Sequence, residues 1–186
     1  MATSIPFPDS KELTAWRHDF HQHPETAFEE QRTSARIAAL LGEWGFEVTT
    51  GIAGTGVVAA LDGQQGEGKT IGLRADIDAL DIREETGLAY ASQTPGKMHA
   101  CGHDAHMTVA CGVAVLARER RAEFAGTVRV LFQPAEEVSP SGAPAMIRAG
   151  ALDGVEAIYA VHMDPSQAVG RFGVRVGSLT AACAPF

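Results

Sequence analysis

Thr70-Ile71-Gly72-Leu73-Arg74-Ala75-Asp76-Ile77-Asp78-Ala79-Leu80 reads as an apolar strand, Thr70 to Ala75, that runs into two carboxylates. Charges at the end of a buried strand need partners. The same pattern recurs further along the chain. Thr127 to Gln133 reads as a buried strand through Val128, Val130, Leu131 and Phe132, and it leads straight into Pro134-Ala135-Glu136-Glu137. Ala157 to Val161 is apolar and ends at His162. Between the first two strands lies Met98-His99-Ala100-Cys101-Gly102-His103-Asp104-Ala105-His106, just ahead of a helical pattern from Ala105 to Arg121. Arg118, Arg120 and Arg121 put cations on the C-terminal dipole of that helix.

Around these stretches the periodicity alternates between helix and strand. Asp9 and Ser10 cap a helix from Lys11 to His23, with Leu13, Trp16 and Phe20 at helical spacing. Pro24 interrupts. A second helix spans Phe28 to Trp44, with Ile37, Leu40 and Leu41 inward, and Gly45 ends it. Phe46–Thr49 and Val57–Leu61 read as strands, and Gly63 to Gly68 as a solvated hairpin loop. The long segment from Leu80 to Met98 has no periodicity, and loops of that length are often functional. A short helix from Ala143 to Ala149 and a last strand from Phe172 to Val176 complete the pattern. The class is α/β, a layered domain with a largely parallel or mixed central sheet. In such sheets ligands sit at the carboxyl ends of strands.

The chain has 186 residues, enough for one domain with a sizeable core. A formal net charge of -8 argues against nucleic acid as partner, since a basic face is the usual footprint. It leaves anionic substrates open, because a local Arg or a metal overrides the global sign. Met1 to Ser10 has no basic segment followed by an apolar one, so no signal peptide is expected. The longest apolar runs are too short to span a bilayer. Three cysteines, at 101, 111 and 183, form no paired framework and fit free thiols in a reducing compartment.

Cys101 and His103 are two residues apart, so one turn can aim both at one ion. Alone, that spacing also fits a packed thiol and a surface imidazole. With Glu136-Glu137 and His162, also at strand ends, it makes a mixed S, N and O donor set suited to zinc or a related divalent ion. Two adjacent glutamates suggest a division of labour in which one ligates and the other takes a proton from water. A metal lowers the pKa of such a water towards about 7. The implied chemistry is metal-assisted hydrolysis of an amide or ester, with the carboxylate as general base and then general acid. Other groups rank lower. His18, His21 and His23 are expected at the surface beside Glu25. His99, Asp104 and His106 are expected behind the ligands or against substrate. Cys111 reads as core, Cys183 as structural or exposed, and Arg74 as an internal partner of Asp76. No phosphate-binding glycine motif and no Gly-X-Ser-X-Gly elbow is present.

Five motifs occur in order: His18-Asp19-Phe20-His21-Gln22-His23-Pro24-Glu25, Arg74-Ala75-Asp76-Ile77-Asp78-Ala79-Leu80, His99-Ala100-Cys101-Gly102-His103-Asp104, Phe132-Gln133-Pro134-Ala135-Glu136-Glu137 and Ala160-Val161-His162. Together they resemble the M20 metallopeptidase family, in its branch of hippurate hydrolases, N-acyl-amino-acid amidohydrolases and auxin-conjugate hydrolases. The resemblance implies a three-layer αβα zinc-peptidase-like catalytic domain. It implies Cys101, His103, Glu137 and His162 as ligands, Glu136 as the general base, and Asp76 as an acid supporting the site. It further implies two divalent ions per complete site (Zn, Mn, Co or Ni) and N-acyl or N-aroyl amino acids as substrates. Family members are often homo-oligomers.

The family pattern also differs from this chain. It has proline where Asp81 and Ala89 stand, a second glycine where Ser141 precedes Gly142, and an acid where Ala184 stands. It is about twice as long, with an inserted dimerisation or lid domain and a returning catalytic segment that supplies a last histidine. Residues 1–186 therefore correspond to the N-terminal part of the catalytic domain, incomplete at its C-terminus. That difference opens a second reading, in which the chain is a catalytically silent, metal-binding fragment of such an enzyme.

Overall fold

The computed structural model describes residues 8–178. Among these residues four α-helices and five strands occur in the order α1 (Ser10–Gln22), α2 (Gln31–Glu43), β1 (Glu47–Ile52), β2 (Gly56–Asp62), β3 (Thr70–Asp76), α3 (His103–Glu119), β4 (Thr127–Gln133), α4 (Gly142–Arg148) and β5 (Val155–Ala160). The strands form one sheet in the order β1-β2-β4-β3-β5. The β1–β2 and β2–β4 pairs are antiparallel, while β3 is parallel to both β4 and β5. The sheet is thus mixed, and its parallel half carries the reactive strand ends. Because β3 and β4 are parallel and in register, with Asp76 opposite Gln133, the segments that leave their C-terminal ends emerge at the same edge. β5 ends at Ala160 on that edge too.

The period-2 alternation sorts side chains onto two faces. Val57, Ala59 and Leu61 of β2 and Val130 and Phe132 of β4 join Trp16, Phe20, Ile37, Leu41, Met107 and Cys111 in the main core under α1–α3. On the opposite face Leu131 packs with Met146 and Ala151, covered by α4. Three layers result, with the thicker helical layer on the α1–α3 side. Trp16 and Trp44 lie with ring centroids 5.1 Å apart, closing α1 against the end of α2. Each large core side chain of this kind contributes roughly 1.5–3 kcal/mol by leaving water.

Local chemistry sets the helix ends. Asp9 accepts a hydrogen bond from the Lys11 amide at 3.0 Å, as a capping residue should. The start of α2 is capped from outside the helix. Glu25 accepts from the backbone amides of Arg32 and Thr33 at 3.0 and 2.8 Å. α1 runs antiparallel to α3: His21 meets Asp104 at the start of α3, while a Cβ on Gly112 would come within 3.2 Å of Leu13.

Two sequence expectations fail. The 63–68 loop is not a hairpin, because β4 lies between β2 and β3. The loop instead crosses the end of β4 and is stitched to it, Gly63 N donating to Gly126 O and Gly126 N to Gly66 O. Gly126 has φ +81, and a Cβ there would lie 2.3 Å from Lys69 O, so the crossing requires glycine. The strand expected at Phe172–Val176 does not form; these residues are irregular and open to solvent. An apolar alternation makes a strand only where a partner edge reaches it. Cys183 and Ala184 lie outside the described residues.

Candidate metal centre

Gly102, in the left-handed conformation (φ 87), turns the chain into α3, so His103 and Asp104 occupy its first turn. His103 is buried beneath the ends of β3 and β4. Its Nδ1–H donates to the Asp78 carbonyl at 2.8 Å, which aims Nε2 at the carboxylates on the other side. That nitrogen lies 3.6 Å from Glu137 Oε1, 3.6 Å from Asp76 Oδ2 and 3.9 Å from Glu136 Oε2. Cys101 Sγ is 3.7 Å from His162 Nε2. One donor atom each from Cys101, His103 and His162 falls within 4.8 Å of the others, as does one each from His103, Glu136 and Glu137.

This donor set fits a divalent cation on two grounds. His103 Nε2 and Glu137 Oε1 are both buried and have no hydrogen-bond partner among the described residues, although they face each other. Orphaned buried groups are rare and costly. Second, ligands on a tetrahedral ion at about 2.0–2.3 Å stand about 3.3–3.8 Å apart, which matches the spacings here. A third cluster, Asp76 with His103 and His106, has the spacing but not the free donors. Asp76 Oδ1 accepts from His106 Nδ1–H at 2.6 Å and its Oδ2 from Arg74 Nη1 at 2.6 Å. Asp76 therefore stands behind the donors, and the Arg74 pairing expected from sequence is present.

The electrostatics are consistent with this. Burial works against ionisation of Asp76, but the His106 hydrogen bond and the charges of His103 and Arg74 outweigh it and hold the carboxyl well below its usual range. Burial, and then the neighbouring Glu137 and Asp76, pushes Glu136 upward. Burial, Glu137, Asp76 and Glu136 together push the Cys101 thiol up to about 12. A thiol surrounded by carboxylates becomes a thiolate near neutrality only if a cation enters with it.

The carboxylates also set the acid stability of the chain. Asp76, Asp78 and Asp104 all titrate lower in the fold than unfolded. Their stabilisation is present above the unfolded value of about 3.9 and is lost as pH falls through the depressed folded values. Unfolding by urea is expected to show stability falling below pH ~4, with a shallower slope in Asp76→Asn.

Three residues to which sequence reading gave no defined role, or another place, shape the site. Asp78 holds both halves: its carbonyl takes His103, and its Oδ2 accepts the Glu137 amide at 3.0 Å. Glu30 is buried; its Oε1 accepts the Ala135 amide at 2.9 Å and its Oε2 the Thr55 hydroxyl at 2.5 Å. It thereby pins Ala135, which has φ +52, directly before Glu136. His21 is buried rather than superficial. It binds Asp104 at 2.8 Å and Glu84 at 3.2 Å because α1 lays that side against α3. The Asp104 hydrogen bond raises its pKa in spite of burial. Only the fold could show this, since a histidine near a helix end gives no sign of which side is covered. His18 stacks on Tyr90 at 3.7 Å, and His23 Nδ1 bonds Asp19 O. His99 is buried and kept neutral, its pKa lowered to about 4 by burial. Cys111 is fully buried in the core.

The fold and donor set define a class: an α/β domain with side chains able to ligate a metal gathered at the carboxyl edge of a mixed sheet. The chain belongs to peptidase family M20/M25/M40, whose profile matches residues 72–183. It is 46% identical over 171 residues to the N-acetylcysteine deacetylase of Bacillus subtilis, covering 91% of this chain and 44% of that one. It is 39% identical to the N-acyl-L-amino acid amidohydrolase of Geobacillus stearothermophilus, covering 92% and 46%. Its fold matches the crystal structure of the Bacillus subtilis YXEP protein, described as a dinuclear metal binding peptidase from the M20 family. The TM-score is 0.84 at 44% identity, covering 89% of this chain and 46% of that one. The chain thus spans less than half the length of these relatives. Among the described residues, no helix is long and apolar enough to cross a membrane.

Proposed function

We propose that this chain carries the N-terminal part of the catalytic domain of a metal-dependent amidohydrolase that cleaves N-acyl amino acids to a carboxylate and a free amino acid. The observation that carries the reading is the pair of buried, partnerless atoms His103 Nε2 and Glu137 Oε1, with Cys101 and His162 beside them and the half-exposed Glu136 at the mouth. Cys101, His103, Glu137 and His162 would hold the metal, two ions in the complete site. The metal, whether Zn, Mn, Co or Ni, supplies Lewis-acid polarisation and a more acidic water.

The remaining work falls to side chains. Glu136, left out of the proposed ligand set, lies 3.9 Å from His103, and burial with the neighbouring Glu137 and Asp76 raises its carboxyl pKa, the direction a general base needs. It takes a proton from water as the oxygen adds to the acyl carbon, and it returns the proton to the leaving nitrogen as the C–N bond breaks. Asp76 and Asp78 orient the donors. The free thiols Cys101 and Cys111 suit a reducing, cytoplasmic setting. The net charge of -8 suits small-molecule substrates rather than nucleic acid.

The test is hydrolysis of N-acetyl and N-benzoyl amino acids by the chain with added Zn, Mn or Co, alongside metal analysis. Release of amino acid that stops on chelation supports the reading. Metal bound at about one per chain without turnover supports the silent fragment instead, and no bound metal at all removes the site. Metal at 100 times its Kd is expected to add about 2.7 kcal/mol to stability, read as a rise in Tm that EDTA reverses.

A further inference from the structure

His106 is not free to ligate, and its two nitrogens tie the β3 end to the segment after β5. Nδ1–H donates to Asp76 Oδ1 at 2.6 Å, and Nε2 accepts the backbone N–H of Met163 at 2.9 Å. These bonds assign the neutral Nδ1–H tautomer. Asp76 is itself fixed by Arg74, whose Nε reaches Gln133 Oε1 at 3.0 Å. The chain of contacts therefore starts on β4, crosses β3, passes through the first turn of α3 and ends on a main-chain amide beyond β5. Next to that amide is His162, whose Nδ1 donates to Met163 O at 2.8 Å and whose ring stands edge-on to His106 with centroids 4.8 Å apart. His162 is exposed and comes after an edge strand, so little else holds it.

We infer that His106 is a positioning residue that sets His162 across from Cys101 by gripping the Met163 amide. The inference rests on the reading of His162 as a metal ligand under the proposed function. Partners of this kind commonly change metal affinity by about 10–100-fold. The Gln133–Arg74–Asp76–His106 series makes that grip rigid, since each group is held by the one before it. His106 and Met163 lie 57 residues apart, and sequence spacing does not connect them.

The probe is the metal alone, zinc and cobalt titrated into the chain, with the cobalt absorption spectrum as a second readout independent of turnover. Met163→Pro removes the N–H without touching His106, and Met163→Ala keeps it. His106→Phe removes both bonds, whereas His106→Gln keeps an amide donor for Asp76 and an oxygen acceptor for Met163. Expected are losses of about 10–100-fold in affinity for Met163→Pro and His106→Phe, a changed cobalt spectrum in both, and affinities within about threefold of the parent for Met163→Ala and His106→Gln. In the His162→Ala background the Met163→Pro and His106→Phe losses should vanish, because the group they position is gone. Equal losses with and without His162, or an unchanged affinity in a cooperatively folded Met163→Pro chain, overturn the inference alone. An unchanged affinity in His162→Ala itself overturns the ligand reading and, with it, any role for the grip. If His106→Phe does not fold, the Met163 pair decides the matter.

Discussion

Glu136→Gln is expected to lower hydrolysis of an N-acyl amino acid by about 10²–10⁴-fold while leaving metal content unchanged. The side chain keeps its size but can no longer accept the proton of water, so only the proton transfer is removed. The position supports that separation. Glu136 is the more exposed of the adjacent pair, and Glu137 holds the buried, partnerless oxygen. Glu137→Gln should therefore behave oppositely, weakening metal retention first and losing turnover with it. The measurement is kcat and metal stoichiometry on the same preparations. Equal loss of metal in both variants would show that the two carboxylates share one role. Should the 186-residue chain lack turnover, the same pair of substitutions in a longer form extended past Phe186 reads the same difference.

Glu30→Leu is expected to cost about 2–6 kcal/mol, counting about 1–3 kcal/mol for each buried polar group left without its partner. Those groups are the Ala135 amide and the Thr55 hydroxyl. The effect should reach the metal as well. Ala135 is held at φ +52, a conformation that residues with a Cβ rarely adopt, and Glu136 and Glu137 come directly after it. Releasing that turn should let both carboxylates drift and lower zinc affinity. Urea unfolding and zinc titration of the variant test the two parts separately. A chain that loses stability but keeps its zinc affinity would show that Pro134 and Gly142, which also contact this turn, suffice to hold it.

Much of the architecture is legible in the residues because the signals are local. Apolar runs at Val57–Leu61, Thr70–Ala75 and Thr127–Gln133 become β2, β3 and β4, since a short apolar run bounded by turn residues is a property of each segment. The caps and glycines that end α1 and α2 act within a turn of themselves. Phe172–Val176 shows the limit of such reading, because its alternation has no partner edge among the described residues. The hairpin expected after β2 failed for the same reason. Strand order depends on which edges meet, and a six-residue loop with glycines can close a hairpin or cross a neighbouring strand.

Cys101, His103, Glu136, Glu137 and His162 were legible as a set and not one by one, because thiol, imidazole and carboxylate groups together at strand and helix ends make a mixed donor set. Sequence by itself determined the inventory of donors, the strands that carry them and the family to which the motifs belong. Which donors face one another was decided by tertiary structure: the parallel register of β3 and β4 brings Asp76 and Gln133 level and sets the acids beyond them at one edge. So too was the division between groups that can accept a cation and groups already occupied. Asp76 and His106 are chemically as able to ligate as Glu137 and His103. They are excluded because Arg74 and the Met163 amide satisfy them, and hydrogen bonds between residues far apart in the chain exist only once the fold has formed.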